Sequence, residues 1–249
     1  MLKQNYIFIT NSLIFFIVII GLCILSLNWA DFKKIYEVKE VNIYGTTFFD
    51  NAIIEKKSES IKSYNIFNKE LKNYKEEILK FDHIIDCKIS REFPSTINVT
   101  IYEREPVALI SSDELIILDS MGICLPVEYC DLSLPILSNF KSNPELYPKG
   151  SKTTSTNVLN SVVIMKYTKD NFSSIYDQIS EFVFNEESEY EIILKNGKTR
   201  ILLGSNNLET KIKYLYSFQE TIKDNENKNI TDFRYIDLRY NEQVIVKEA

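Results

Sequence analysis

No charged residue occurs between Lys3 and Asp31, and this uncharged run constrains the fold more than any other feature of the chain. Its centre consists almost entirely of Ile, Leu, Phe and Val. A helix needs about 20 apolar residues to cross the hydrocarbon core of a bilayer, and this run is longer. Trp29 lies near its end, where amphipathic aromatic side chains prefer the membrane interface. The run predicts a transmembrane helix over residues 6–29, after a short tail of residues 1–5.

A cleaved signal peptide is the competing interpretation, because the apolar core lies close to the start of the chain. Cleavage at Ala30 would place Asn28 at the minus-three position, where small residues are preferred. The sequence therefore favours an uncleaved anchor. Lys3 on one side roughly balances Lys33 and Lys34 on the other, so the charge bias does not decide the orientation.

The 249 residues exceed one typical domain, and 45% apolar with 26% charged residues is the composition of a globular protein that carries a membrane segment. Asp and Glu number 35 against 29 Lys and Arg, which gives a formal net charge of -6. No basic stripe offsets this acidity. The composition therefore argues against nucleic-acid binding.

Residues 87–108, with the sequence CKISREFPSTINVTIYEREPVA, contain two alternating apolar runs separated by Pro94-Ser95. This pattern predicts a β-hairpin with one buried face. Upstream, an apolar alternation predicts a strand that stops at Gly45, and a helix begins near an N-cap candidate, Asp50. A second helix carries apolar residues at helical spacing, namely Leu71, Tyr74, Ile78 and Phe81. The order is strand, helix, helix, strand, strand.

The second half of the chain, from about Ala108, alternates strand and helix patterns. Strands are predicted over 115–118, 123–125, 179–184, 190–194 and 200–203, with Asn196-Gly197 as a hairpin turn, and helices over 155–169 and 208–224.

The last patterned segments are Phe233–Tyr240 and Val244–Val246. Alternation places Ile236, Leu238 and Tyr240 on one face of a strand. A terminal strand without cover can lie at a sheet edge and accept another chain's strand. From the residues alone, a purely structural last strand and a binding edge both remain open.

The pattern resembles a POTRA module, and with the anchor it resembles the bacterial cell-division family FtsQ, called DivIB in Gram-positive bacteria. The matching segments are VKEVNIYGTTFFD, SREFPSTINVTIYEREPVALI, LIILDSMGICLP, LPILSN and YIDLRY. Phe93 departs from this family, in which Trp is common at that position. The resemblance implies an α+β fold with a single N-terminal transmembrane helix, a POTRA-like β-α-α-β-β module over residues 36–105, and a mixed β-sheet domain with two helices over 108–249.

The resemblance also implies a non-enzymatic scaffold that links septal membrane proteins by β-strand addition at its C-terminal sheet edge. The implied partners are FtsB-like and FtsL-like coiled-coil division proteins, with other divisome membrane proteins contacting the POTRA module. Arg239 and Tyr240 in YIDLRY, with Val244 and Val246, are the implied partner-binding residues. The implied location is the inner membrane at the division septum, as a single-pass protein with a cytoplasmic N-terminus.

Two other functions compete with this one. A cell-wall enzyme lacks support, because the sequence has no GxSxG pattern and Glu186, Glu187 and Glu189 lie at a predicted turn. A POTRA adaptor for protein assembly or secretion would commonly carry several modules or a barrel. His83 is the only imidazole, and no cofactor or metal site is predicted.

Cys124 and Cys130 flank a loop and would pair only in an oxidising compartment. Small buried thiols are the alternative. Glu103 and Arg104 are expected to hold the corner between the two domains through local salt bridges, and contact with a partner is the alternative.

Overall fold

The computed structural model describes residues 2–49, 52–62, 64–67, 71–127, 133–196, 199–240 and 243–248. The N-cap candidate Asp50, the turn residue Gly197 and Cys130 lie outside the described residues. The chain divides into two compact units. The first comprises Met1–Thr46, Asn51–Lys80 and Asp86–Tyr102, and the second comprises Thr47–Asp50, Phe81–Ile85 and Glu103–Ala249.

The N-terminal elements follow the predicted order. They are α1 (Leu2–Phe32), β1 (Glu40–Tyr44), α2 (Ala52–Glu59), α3 (Leu71–Ile78), β2 (Ile84–Glu92) and β3 (Thr96–Glu103). The three strands form a sheet in the order β1-β3-β2, in which β1 runs parallel to β3. Helix α1 contains a predominantly apolar stretch, Asn11–Phe32, which is long and apolar enough to cross a bilayer. It fits a single-pass membrane anchor.

The buried face of this small sheet is the one that the alternation predicts. Ile97, Val99 and Ile101 of β3 are buried, as are Tyr74 and Ile78 of α3. Within the first unit, the apolar stripe of α3 and the inward residues of the hairpin therefore supply the core. Burial of such side chains stabilises the fold by about 1.5–3 kcal/mol each.

The C-terminal elements are β4 (Pro106–Ser111), β5 (Leu115–Asp119), β6 (Cys124–Pro126), β7 (Ile136–Ser138), α4 (Thr156–Asn171), α5 (Ser173–Tyr176), β8 (Ile179–Phe184), β9 (Tyr190–Leu194), β10 (Arg200–Gly204), α6 (Leu208–Glu226), β11 (Phe233–Asp237) and β12 (Ile245–Glu248). The strands form one mixed sheet of nine strands, in the order β12-β11-β10-β9-β8-β7-β4-β5-β6. This α+β architecture confirms the predicted fold class. The four-residue helix α5 was not predicted.

Strand β7 joins the two halves of this sheet, because it pairs in parallel with β4 on one side and with β8 on the other. The core cluster combines buried residues of β8 to β11 with those of α4 and α6, among them Phe182, Ile201, Met165 and Leu215. Both long helices supply the inward residues that their helical spacing predicts. Cys124 is buried and its thiol is free.

Glu103 and Arg104 both make contacts within the second unit. Glu103 Oε2 accepts hydrogen bonds from the backbone N–H groups of Thr47 and Phe48, at 2.7 and 2.8 Å. Arg104 Nη1 lies 3.0 Å from Oδ2 of Asp119, which is buried. Arg104 thus forms the kind of local ion pair that the sequence predicts, whereas Glu103 caps backbone donors.

Candidate functional site

The C-terminal edge of the large sheet is formed by β12. Strand β11 is flanked on both sides, in parallel by β10 and in antiparallel by β12. Strand β12 pairs only with β11 among the described strands. The expectation that the segment Phe233–Tyr240 itself could lie at the edge is therefore wrong, because the last residues fold back and cover it.

The edge strand presents exposed side chains, two of which are apolar. All four residues of β12 are exposed, and Ile245 and Val246 retain 41% and 37% of their accessible surface. Ile245 stands opposite Asp237 and Val246 opposite Ile236, so the two apolar side chains point to opposite faces of the sheet. Sequence reasoning missed Ile245, although it is one residue from the predicted Val246.

Val244 differs from its neighbours. It precedes β12, is half-buried and packs against the main core cluster. Of the predicted pair Val244 and Val246, only Val246 therefore lies on the exposed strand.

Tyr240 lies in a bend beyond the end of β11 and is 54% exposed. The alternation predicts that Tyr240 shares a strand face with Ile236 and Leu238. This prediction is wrong for Tyr240, because the strand ends at Asp237. Leu238 is still anchored, because its N–H donates to the carbonyl of Leu202 at 2.9 Å. Once the chain leaves the sheet, the two-residue period no longer applies, and the tyrosine is free to face solvent.

Arg239 is held by an ion cluster within the chain. Its Nε lies 3.0 Å from Asp237 Oδ1 and its Nη2 lies 2.7 Å from Asp237 Oδ2, while Nη1 lies 3.3 Å from Glu189 Oε2. Burial by itself raises the pKa of Asp237, but the hydrogen bonds and charge of Arg239, with Lys211, bring that pKa below its ordinary value. The guanidinium therefore neutralises a buried carboxylate.

Lys211 completes this cluster from the first turn of α6. Its Nζ donates to the carbonyl oxygen of Leu203 at 2.6 Å. Burial lowers the pKa of Lys211, and Arg239 adds to this effect, against the opposing charges of Glu189 and Asp237. No sequence signal identified Glu189 as its neighbour, because the β8–β9 turn meets the end of β11 only in the folded sheet.

An open groove of about 720 Å³ runs over the sheet face beside the edge strand. Its lining includes Glu191, Arg200, Tyr235, Arg239 and Lys247, which come from β9 to β12 and the bend after β11. Arg200 Nη2 lies 2.6 Å from Glu191 Oε2. The groove can receive polar side chains of a segment that lies along the edge.

Glu186, Glu187 and Glu189, the carboxylates considered for an enzyme, lie in the turn between β8 and β9. The backbone N–H groups of Glu187 and Glu189 both donate to Oδ1 of Asn185, at 3.0 and 2.9 Å. Glu189 faces Arg239. His83 is buried and stacks on Phe49, with 4.8 Å between the ring centroids. These contacts give the residues structural roles.

Comparison with known proteins adds independent information. Residues 105–247 match the family described as FtsQ/DivIB, C-terminal related, and residues 36–104 match the POTRA domain, FtsQ-type. The chain is 27% identical over 223 residues to the cell division protein FtsQ of Geotalea daltonii, which covers 83% of this chain and 78% of that protein. It is 22% identical to FtsQ of Neisseria gonorrhoeae, over 90% of this chain and 85% of that protein. The cell division protein DivIB of Clostridium acetobutylicum is 30% identical over 93 residues, which are 37% of each chain.

Proposed function

The chain belongs to the FtsQ/DivIB family of bacterial cell-division proteins, and from this premise we propose that it is a non-enzymatic scaffold of the division complex that binds a partner by β-strand addition at β12. The observation that carries the proposal is the edge position of β12, with exposed Ile245 and Val246 on a strand that, within the described part of the chain, pairs with β11 alone. An unpaired strand edge offers a row of backbone donors and acceptors to an extended segment.

The mechanism divides affinity and selectivity between backbone and side chains. Backbone hydrogen bonds along β12 supply affinity for any extended segment, and side-chain contacts on alternating faces select the partner. Val246 lies on the face that the helices cover, and Ile245 lies on the groove face. Tyr240 precedes β12 in the sequence by a few residues. Its exposed side chain offers a large rigid ring with a hydroxyl group that can form hydrogen bonds. No covalent bond changes in this mechanism.

The partners that the family resemblance implies are FtsB-like and FtsL-like coiled-coil division proteins. In this proposal a segment that follows such a coiled coil becomes the tenth strand of the large sheet. Arg239 takes part by shaping the groove, because its guanidinium already bridges Asp237 and Glu189. Val244 supports the edge strand from the core side.

The remaining parts of the chain have placement roles in this proposal. Helix α1 anchors the protein in the inner membrane with its N-terminus in the cytoplasm, and the two domains, over residues 36–105 and 108–249, lie outside that membrane at the septum. The POTRA module contacts other membrane proteins of the division complex. The apolar stretch of α1 and the family match support this arrangement.

The proposal is tested by measuring binding of an FtsB-like ectodomain to the full chain in detergent. A lysine at position 246 places a charge on the edge strand, so Val246→Lys should weaken binding by about tenfold or more. Val163→Lys is the matched control, because Val163 is also an exposed valine, at 55%, and lies on helix α4 outside the sheet. Equal affinities for both variants would reject β12 as the binding edge.

A further inference from the structure

Three aromatic side chains form an exposed patch on the first unit. The ring of Phe67 lies 5.2 Å from that of Tyr36 and 5.3 Å from that of Phe93, measured between centroids. Phe67 and Phe93 retain 58% and 59% of their accessible surface. These three residues are called the aromatic patch. Large exposed apolar clusters of this kind usually mark a contact surface.

The patch lies at the end of the first unit from which the membrane helix emerges. Helix α1 ends at Phe32, and the N–H of Ile35 still donates to the carbonyl of Ala30 at 3.1 Å. Tyr36 follows immediately, and its carbonyl accepts a hydrogen bond from Ile66 N–H at 2.7 Å. The segment that carries Phe67 is thus fixed to the chain that leaves the bilayer.

The tip of the β2–β3 hairpin reaches the same end. Strand β1 begins opposite Thr96 and runs parallel to β3, so its start and the hairpin tip lie side by side. The carbonyl of Ser95 accepts a hydrogen bond from Lys39 N–H at 2.8 Å. Phe93 in this tip therefore lies beside the segment that follows the membrane-spanning helix.

Basic side chains lie near the rings, together with the acidic side chains of Asp31 and Glu37, the second of which pairs with Lys34. Arg91 Nε donates to the carbonyl of Ile66 at 2.7 Å, next to Phe67. Lys33 follows α1 directly, with its Nζ 5.9 Å from the ring centroid of Phe32. Aromatic rings beside cationic side chains match the interfacial layer of a bilayer that contains anionic lipid, where rings lie at headgroup depth and basic residues meet phosphate.

We propose that the aromatic patch docks on the surface of the bilayer that α1 spans, with Phe67 and Phe93 in the interfacial layer. The first unit then holds a fixed orientation on the membrane and does not swing on the short connection after α1. This inference rests on the membrane anchoring proposed above, but it does not depend on what binds β12.

Depth-dependent fluorescence quenching tests this inference on the full chain in vesicles of phosphatidylcholine and phosphatidylglycerol whose acyl chains carry bromine. The chain has one tryptophan, Trp29, so a Trp29→Phe background allows a single indole to be placed elsewhere. Phe93→Trp reports on the patch. Tyr44→Trp is the matched control, because Tyr44 is 53% exposed at the opposite end of β1, about 13 Å along the strand.

Docking predicts that bromine quenches the indole at position 93 about threefold more strongly than the indole at position 44. Equal quenching at the two positions would overturn the proposal and leave the patch for a protein partner. The unaltered chain checks the anchor separately, because Trp29 must be quenched if α1 spans the bilayer. An unquenched Trp29 would overturn the anchoring and the docking together, whereas a quenched Trp29 with equal signals at 93 and 44 would overturn the docking alone.

Discussion

Arg239 and Asp237 form a two-pronged ion pair at the end of β11, with Nε and Nη2 of the arginine 3.0 and 2.7 Å from the two carboxylate oxygens. The side chain of Asp237 is 7% exposed and that of Arg239 is 36% exposed. The carboxylate thus depends on the arginine for its charge balance. The arginine that the family resemblance assigns to partner binding also has a structural task in this chain.

Arg239→Ala is expected to lower the free energy of unfolding by about 1–2 kcal/mol, because it leaves a buried carboxylate without its cation and solvent screens only part of that loss. Denaturant unfolding of the full chain in detergent measures the change. Adding Asp237→Asn in the same background should recover part of the stability, since a neutral amide needs no counter-ion. If Arg239→Ala unfolds at the same denaturant concentration as the parent, the arginine has no structural task.

The same pair predicts a pH dependence. The pKa of Asp237 in the folded chain lies below its ordinary value, so the pair stabilises the fold above that ordinary value, near pH 4, and this contribution is lost as the pH falls through the lowered pKa. Arg239→Ala should therefore reduce stability at neutral pH more than at the acid end of this range.

Tyr240→Ala is expected to weaken binding of the FtsB-like ectodomain by about tenfold or more while leaving the unfolding transition unchanged, because the ring is 54% exposed and contributes little to the core. Isothermal calorimetry and a thermal melt provide the two readings. Tyr214→Ala is the control for removing an exposed tyrosine, since Tyr214 is 43% exposed on α6. Affinity equal to that of the parent would remove Tyr240 from the site.

His83 predicts a second, independent pH effect. Burial lowers the pKa of His83, against the opposing charges of Glu103 and Asp82, so the folded chain keeps the imidazole neutral where the unfolded chain begins to take up a proton. The free energy of unfolding should fall as the pH drops below about 6.5, by no more than about 1.4 kcal/mol per pH unit for this group.

Denaturant unfolding at several pH values, with His83→Gln beside the parent, isolates this contribution. The parent should lose more stability than His83→Gln between neutral pH and the region where carboxylates begin to titrate. Parallel curves for the two proteins would show that His83 binds protons equally well in the folded and unfolded states.

The fold was predictable where local pattern and burial coincide. Ile97, Val99 and Ile101 alternate along β3 and are all buried, and Val158, Val162 and Met165 follow helical spacing and line the core side of α4. In both elements, the residues that the period of the secondary structure places on one face are the residues that face the core. The boundaries of the two domains, 36–105 and 108–249, stay predictions.

The arrangement of the sheet was not predictable, because it depends on contacts between distant segments. Nothing local indicates that β7 joins β4 to β8, or that β12 turns back on β11. The candidate site shows the consequence. The segment YIDLRY lies in and after β11, near the C-terminal edge of the sheet, but the strand that follows it forms the edge itself. Because β11 ends at Asp237, Tyr240 does not follow the alternation of the strand.

Hydrogen–deuterium exchange of the full chain, with and without a saturating FtsB-like ectodomain, tests the central claim most directly. Strand addition at β12 predicts that outward-facing amides of Ile245–Glu248 become slower to exchange by about tenfold or more when the partner binds, because free edge donors become hydrogen-bonded. Amides of β6, at the opposite end of the same sheet, should not change. Protection confined to elements other than β12, with the partner demonstrably bound, would contradict the account.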